Sequence, residues 1–547
     1  MSRRCHTARS LFDPETLDPG CLEEGTTAQL LNRYSPLLFP AWLVRGWRGE
    51  GRRGRKAWSA LVLAGLLLLR WTEEGMSRRA SCRQAKRNTS WRAALRLPVG
   101  GQTPDERTVR DFERFMKGRS PDSGLRRYEM LHAHIIHICQ KQDIVNEAAV
   151  WVQDSTPMYC YGATLDTIRL LGDGLRALGL RWSRVTGESL AELSKRWELP
   201  LLTGKSTKGS FRIDWRDQDA RAKVVTHLAE AVLRVVSDVR GHLSEVRQNK
   251  HKSLIRKCRA LLKVVKDDLG VDDKGRYVIE RKVTRGRHVS LTDPQARNGT
   301  KSKSNKFKGF KLHVLGDVVS GLIASIAVTP GSTHDGTPSP RLVKRAKELF
   351  EDIQVVLGDT AYGGAELRRR VREESGVNLV SPPPANTRRT DKLSKNDFEI
   401  DFEVLEATCP NGQRTRTTGL SQGKSGQTRR WFHWEGEQCA GCPLAERCTE
   451  RRRGGAHRIL LSPEEEEIRR SRKEWADPEL RQAYRVRAQG ERLVHKMTRH
   501  GGRKARQWGL DAARQQAYSI AMVNNLLVLA KALAAFEQGG GSQELAA

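Results

Sequence analysis

The sequence predicts a mixed α/β core that follows a small all-helical domain and carries two insertions, one helical and one Cys-rich with short β-strands. Three observations predict it. Short apolar runs that lead to an acid, 148–152 before Asp154 and 353–357 before Asp359, read as buried strands. Amphipathic stretches at 340–350 and 365–374 alternate with strand-like segments, the pattern of a sheet covered by helices. Residues 382–463 shift to Gly, Thr, Arg and aromatic residues and hold four of the ten cysteines. At 547 residues the chain exceeds a single compact core and points to about three domains.

Along the chain, residues 1–34 are polar, aperiodic and expected to be loosely ordered. They lack the apolar core of about 7 residues that a signal peptide needs, so a cytoplasmic protein is expected. Helical periodicity at 58–71, 90–97, 108–116 and 128–142 makes 35–143 an all-helical domain. Its basic clusters, Arg52, Arg53, Arg55 and Lys56 and then 78–87, suit phosphate contacts, and the domain is expected to bind DNA. The apolar run 60–69 is half of the ~20 residues needed to span a bilayer, so it reads as a buried helix and no membrane partner is expected.

The strand before Asp154 opens the core, expected over 144–381 and 464–536. A helical insertion at about 160–285 interrupts it. Within that insertion Leu228, Val232, Val235, Val239 and Val246 form one helical stripe, and a break near Gln248 makes 217–268 an antiparallel helical pair expected to pack within the molecule, with dimerisation or clamping of DNA as the alternative use. Strands at 307–315, 322–328, 352–357 and 377–380 follow, with the helices 340–350 and 365–374 between them. After the Cys-rich insertion, helices 470–497 and 512–536 close the chain, and 537–547 is a frayed tail. The net charge of +33, 97 Lys+Arg against 64 Asp+Glu, is spread over the chain and matches a polyanion, nucleic acid first.

A strand holds a side chain at the rim of a sheet, where groups from distant segments converge. Asp154 and Asp359 each follow an apolar run and precede Ser155 or Thr360. Such carboxylates suit Mg²⁺ or Mn²⁺, and a pair of these ions supports in-line displacement at phosphorus. The plainer alternative is an Asp that caps the following turn. The third acid is expected on a late helix, where Tyr484, Arg487 and Glu491 share a face at i, i+3 and i+7 and Lys496 lies just over a turn beyond. Arg487 and Lys496 there can hold phosphate oxygens. A solvated helix is the alternative for Glu491, with Glu464 to Glu467 as competing acids.

Several blocks, taken together, resemble the DDE transposases of bacterial insertion sequences, in particular the group with an N-terminal helical domain and a Tyr-Arg-Glu-Lys signature. These are Val152-Gln153-Asp154-Ser155-Thr156, Thr292-Asp293-Pro294-Gln295-Ala296-Arg297, Phe307 to His313, Val328 to Asp335, Gly358-Asp359-Thr360-Ala361-Tyr362-Gly363 and Tyr484-x2-Arg487-x3-Glu491, in the family's order. The resemblance covers 145–535, more weakly back to about 35. It implies an RNase H-like catalytic core with Asp154, Asp359 and Glu491 as catalytic ligands of two Mg²⁺ or Mn²⁺ ions, and Tyr484, Arg487 and Lys496 as DNA-binding residues. Its implied partners are the terminal inverted repeats and target DNA, and synapsis of two ends implies a homodimer at the nucleoid. Two departures stand out. The signature lysine falls at Thr498, with Lys496 the nearest, and the interval from Asp154 to Phe307 must hold the helical insertion. His334 and Asp335 are secondary candidates, with a local turn hydrogen bond as the alternative.

Cys409, Cys439, Cys442 and Cys448 form two groups, one a Cys-x2-Cys knuckle, as a tetrahedral structural Zn²⁺ site requires. Unligated thiols are the alternative. Cys5, Cys21, Cys82, Cys139, Cys160 and Cys258 have no regular spacing and read as free thiols. The resemblance also suggests hairpin-forming excision, with Trp431 or Trp434 placed to stack on a flipped base. The competing functions are a metal-dependent nuclease without strand transfer and a retired transposase that binds DNA. Presence of all three acids argues against retirement.

Overall fold

The computed structural model describes residues 20, 22–47, 57–98, 100–243, 251–280, 286–302, 304–384, 392–423, 426–448 and 456–538. The basic cluster at 52–56, Cys5, Cys21, Val246, the expected break near Gln248, residues 1–19 and most of the tail lie outside the described residues. Two compact units divide the chain: the first comprises 1–149, 154–334 and 491–547, the second 150–153 and 335–490.

In the first unit the helical start contains Thr27–Leu38, Ala60–Leu69, Arg78–Arg87, Glu106–Lys117 and Arg127–Gln140. Side-chain caps set several starts, Ser59 on Leu61 N and Asp105 on Thr108 N among them. The segment read as a basic cluster at 78–87 is itself a helix, and its Arg78 turns to the buried carboxylate of Glu113 (2.6 Å) rather than outward. Helices Thr167–Thr186, Gln218–Gly241 and Lys252–Asp268 enclose a core of their own, in which Leu228, Val232, Val235 and Val239 are buried with Leu175, Trp182 and Leu261. The stripe therefore serves packing within the unit.

Strand β1 (Trp151–Tyr159) runs from the second unit into the first; a small hairpin, β2 (Leu269–Val271) and β3 (Tyr277–Ile279), precedes β4 (Arg297–Thr300), β5 (Lys306–Asp317) and β6 (Ile323–Pro330). β5 pairs antiparallel with β4 and β6, in register at Gly299↔Phe307 and Leu312↔Val328. β1 neighbours β5, and Cys160 N just past its end donates to Lys308 O at 3.2 Å. Against β6 lies the long helix Leu510–Gln538. Its Asn525 accepts from Ile323 N and donates to Ile323 O, both at 2.9 Å. By length and composition this helix could cross a membrane, yet most of it is buried in the unit's core, which accounts for its apolar sequence.

In the second unit β7 (Val355–Leu357) lies parallel to β1, Leu357 opposite Val152, and parallel to β8 (Asn378–Val380). The helices Ser339–Leu349 and Ala365–Ser375 supply the connections that parallel strands require. The Cys-rich segment forms two small antiparallel sheets, β9 (Glu399–Asp401), β10 (Glu406–Thr408) and β11 (Arg414–Thr415), then β12 (Thr418–Gln422), β13 (Thr428–Trp434) and β14 (His457–Leu460), around Phe398, Phe432, Trp434 and Ile459. The helix expected over 470–497 is broken. Asp477 caps a new helix, Pro478–Tyr484, with proline in its first turn; a tighter turn, Arg485–Gln489, leads to the helix Gly490–Met497.

Candidate active site

β7 delivers the buried Leu357 and Gly358 and then Asp359, which opens the turn Thr360–Tyr362. Asp359 Oδ1 accepts from Ala361 N at 2.9 Å, so this acid does cap the turn. Its Oδ2 stands 3.9 Å from Arg487 Nη2, and the side chain is 41% exposed. An ion pair in that setting adds about 0–1 kcal/mol of stability, so its significance is positional. Tyr484 Oη donates to Gly358 O at 2.7 Å, and its ring meets Trp475 edge-on at 4.9 Å. Residues three apart eclipse in a tight helical turn, which is why the Tyr-x2-Arg spacing sets both side chains over the strand end at 358–359.

Asp154 is not at a strand end. β1 continues five residues beyond it to Tyr159, because Thr156 and Met158 are buried and keep the strand packed. Its Oδ1 accepts from Ser155 N at 2.7 Å. The neighbouring Gln153 is fully buried and accepts from Ser339 Oγ at 2.7 Å, which fixes the strand just before the acid.

The late helix begins at Gly490, where a Cβ would lie 2.5 Å from Val152 Cγ1. Glycine therefore permits the helix start to approach β1 two residues before Asp154. This contact was absent from the sequence reading, although a glycine directly before the candidate Glu491 was its visible signal. Glu491 is exposed on the first turn. Lys496 is redirected: its Nζ lies 3.4 Å from Gly321 O, and burial followed by the nearby Lys531 lowers its pKa. The contact of Lys496 in this structure is with the turn at 317–321.

The competing acids are engaged elsewhere. Glu467 is paired with Arg372 at 2.8 Å and with Arg470, and the buried Glu465 with Lys395 and Arg469. His334 and Asp335 follow β6 in a turn, the histidine exposed. Among the described residues, no three His, Cys, Asp or Glu side chains are gathered as a ready metal-binding group.

Cys409, Cys439, Cys442 and Cys448 nonetheless line a single cavity of about 30 Å³, together with Phe398, Trp434 and His457. Burial, and after it the other three cysteines, pushes the Cys448 thiol up to about 11; burial raises Cys439 as well. Trp434 is 1% exposed, with its indole N–H donating to Gln413 O at 2.9 Å, so it cannot stack on a base; it is core. Trp431 is half-buried under the Arg458 guanidinium, 4.2 Å from the ring centroid.

Residues 273–526 match the family model of the transposase DDE domain, and residues 34–114 match a second transposase domain model, of a domain of unknown function. No curated protein matches the chain. Among solved structures, a cryo-EM structure of the piggyBac transposase synaptic complex with hairpin DNA is similar over 76% of this chain and 77% of that one, at 12% identity and a TM-score of 0.24. The two matched domains define an enzyme that acts in transposition. The chain belongs to the DDE transposases of the insertion-sequence type.

Proposed function

We propose that this transposase cuts phosphodiester bonds at the ends of its element and joins the freed 3′-hydroxyls to target DNA, with Asp154, Asp359 and Glu491 as catalytic carboxylates. The observation that carries the reading is the seating of Tyr484 and Arg487 on Gly358 and Asp359. An Arg beside an acid is poised to hold a phosphate oxygen next to the acid's metal. The donor chemistry fits: carboxylates are the all-oxygen set that Mg²⁺ and Mn²⁺ prefer, and Asp359 commits only Oδ1 to its turn. When bound, two such ions activate the attacking oxygen and stabilise the leaving one. Tyr484 restrains Gly358 and so aims Asp359, and Arg487 neutralises charge that builds on the phosphate.

The parallel ladder β1, β7, β8 and the antiparallel ladder β4, β5, β6 support an RNase H-like core. Residues 35–143 are proposed as its DNA-binding domain and 382–463 as a Zn²⁺ module. Four thiols on one cavity support the zinc, since a cation removes the mutual cost of ionising them. Terminal inverted repeats and target duplex are the proposed partners, a homodimer the proposed synaptic form, and the nucleoid the place of action.

The deciding experiment is Mn²⁺-dependent cleavage and joining of terminal-repeat DNA by the full chain. Parent activity with Asp154→Asn, Asp359→Asn and Glu491→Gln inactive is expected; cleavage that survives in either Asp variant overturns the assignment. Cleavage without joining to a target plasmid would leave a nuclease. For the module, one zinc per chain, lost in the double variant Cys439→Ser/Cys442→Ser, is expected by metal analysis; metal-free protein purified from zinc-supplemented medium overturns it.

A further inference from the structure

Past the Gly490–Met497 helix the first unit contains a groove of about 690 Å³, lined by Arg499, Arg503, Lys504 and Arg506 among others. All four are exposed, and among the described residues none forms an ion pair with a carboxylate. Arg503 reaches Thr156 Oγ1 at 3.4 Å, and Arg506 donates to the Glu74 carbonyl at 3.2 Å. Cations gathered on a concave surface without a carboxylate partner repel one another, and an entering anion relieves that cost.

The groove is built rather than loose. Tyr159 N donates to Arg503 O at 2.9 Å and Ala505 N to Tyr159 O at 2.8 Å, so 503–505 lies strand-like beside the end of β1. Gly501, at φ +93°, lets the Glu74 carbonyl approach where a Cβ would stand 2.6 Å away, which seats Glu74 against this segment. Four cations therefore line the groove against the two carboxylates of Glu73 and Glu74, a net positive lining that favours a polyanion.

Its location supplies the ligand. Thr156, touched by Arg503, is two residues from Asp154 and on the same face of β1. His495, also in the groove, is one helical turn from Glu491. From these placements we infer that the groove holds the sugar-phosphate backbone of duplex DNA beside the bond to be cut, with Arg499, Arg503, Lys504 and Arg506 as its phosphate contacts. The inference rests on the proposed roles of Asp154 and Glu491 for its location, and on the unpaired cations for its ligand.

The test measures binding of a fluorescent duplex of arbitrary sequence to the full chain without divalent metal, over a range of NaCl. Arg499→Ala/Lys504→Ala is expected to weaken binding on the order of tenfold at ~0.1 M salt and to reduce the slope of log K against log [salt] by about 1.8, near 0.9 per lost contact. A control pair of exposed arginines that do not line the groove, Arg184→Ala/Arg212→Ala, is expected to keep the parental slope. A parental slope in the groove variant overturns the inference. If the groove variant does not fold, acetylation of Lys504 in the parent decides: protection by the duplex supports the groove, and an unchanged rate overturns it. Because no cleavage is read, failure here leaves the catalytic assignment standing, and active Asp154→Asn or Asp359→Asn enzyme would sink that assignment without touching the groove.

Discussion

Asp359 combines two duties, capping a turn with one oxygen and facing Arg487 with the other, and the two can be separated chemically. Asn keeps an oxygen for Ala361 N but removes the charge. Asp359→Asn is therefore expected to leave the thermal midpoint unchanged and to lower cleavage by at least about 10²–10³-fold; a large loss of stability would make the acid structural. Arg487→Lys tests the same pair, since an ammonium lacks the planar fork, and rescue to parental activity would argue against phosphate binding. Asp293, fully buried, is different. It accepts from Gly509 N at 3.1 Å and from the Tyr161 backbone, yet burial raises its pKa. The folded chain thus holds its proton more tightly than the unfolded chain, so the stabilisation is complete below the unfolded value of ~3.9 and is lost as pH rises through the folded value. Asp293→Asn keeps an acceptor and removes the titration. The expected result is a flatter fall of thermal midpoint with pH above ~4; an unchanged profile would show that Asp293 is not the group responsible.

At the scale of elements, Gly490 is where the late helix meets β1. Gly490→Ala gains up to about 1 kcal/mol of helix propensity, but its methyl meets the fully buried Val152, and overpacking costs about 1–3 kcal/mol. Net destabilisation in urea unfolding is expected, with recovery in Gly490→Ala/Val152→Ala; a more stable single variant would mean that the strand yields freely. This contact also marks the limit of what was legible. The two strands, the acid after β7 and the Tyr-x2-Arg spacing were readable because each is a local pattern. The extent of β1 past Asp154 was not, since Thr156 and Met158 are held by burial that no local pattern specifies. The break at Asp477-Pro478 was visible as a cap followed by proline and was overridden by the helical period on either side. Lys496 was placed by spacing alone, and the turn at Gly321 that receives it lies 175 residues away in sequence.

For the whole molecule, the charge of +33 overstates what is available to a polyanion. Many cations are committed to internal pairs: Arg70 to Glu113 at 2.5 Å in the core, Arg276 to Asp272 at 2.9 Å, Arg372 to Glu467 at 2.8 Å. Pairs of this kind are already neutralised and release no counterions when DNA binds. If binding used only the remaining scattered surface charge, each contact would be weak and mobile, and the salt dependence shallow. If instead the four groove cations act together on one duplex, about four phosphates are neutralised, the slope is about −3.6, and affinity falls by about 10²-fold between ~50 and ~200 mM salt. The second outcome is expected, because Arg499, Arg503, Lys504 and Arg506 line one groove of the first unit. Fluorescence anisotropy with duplex DNA across that range decides it: a slope of log K against log [salt] shallower than about −2 would mean that no more than two phosphates are engaged, and the charge would then be a solvated surface rather than a DNA-binding one.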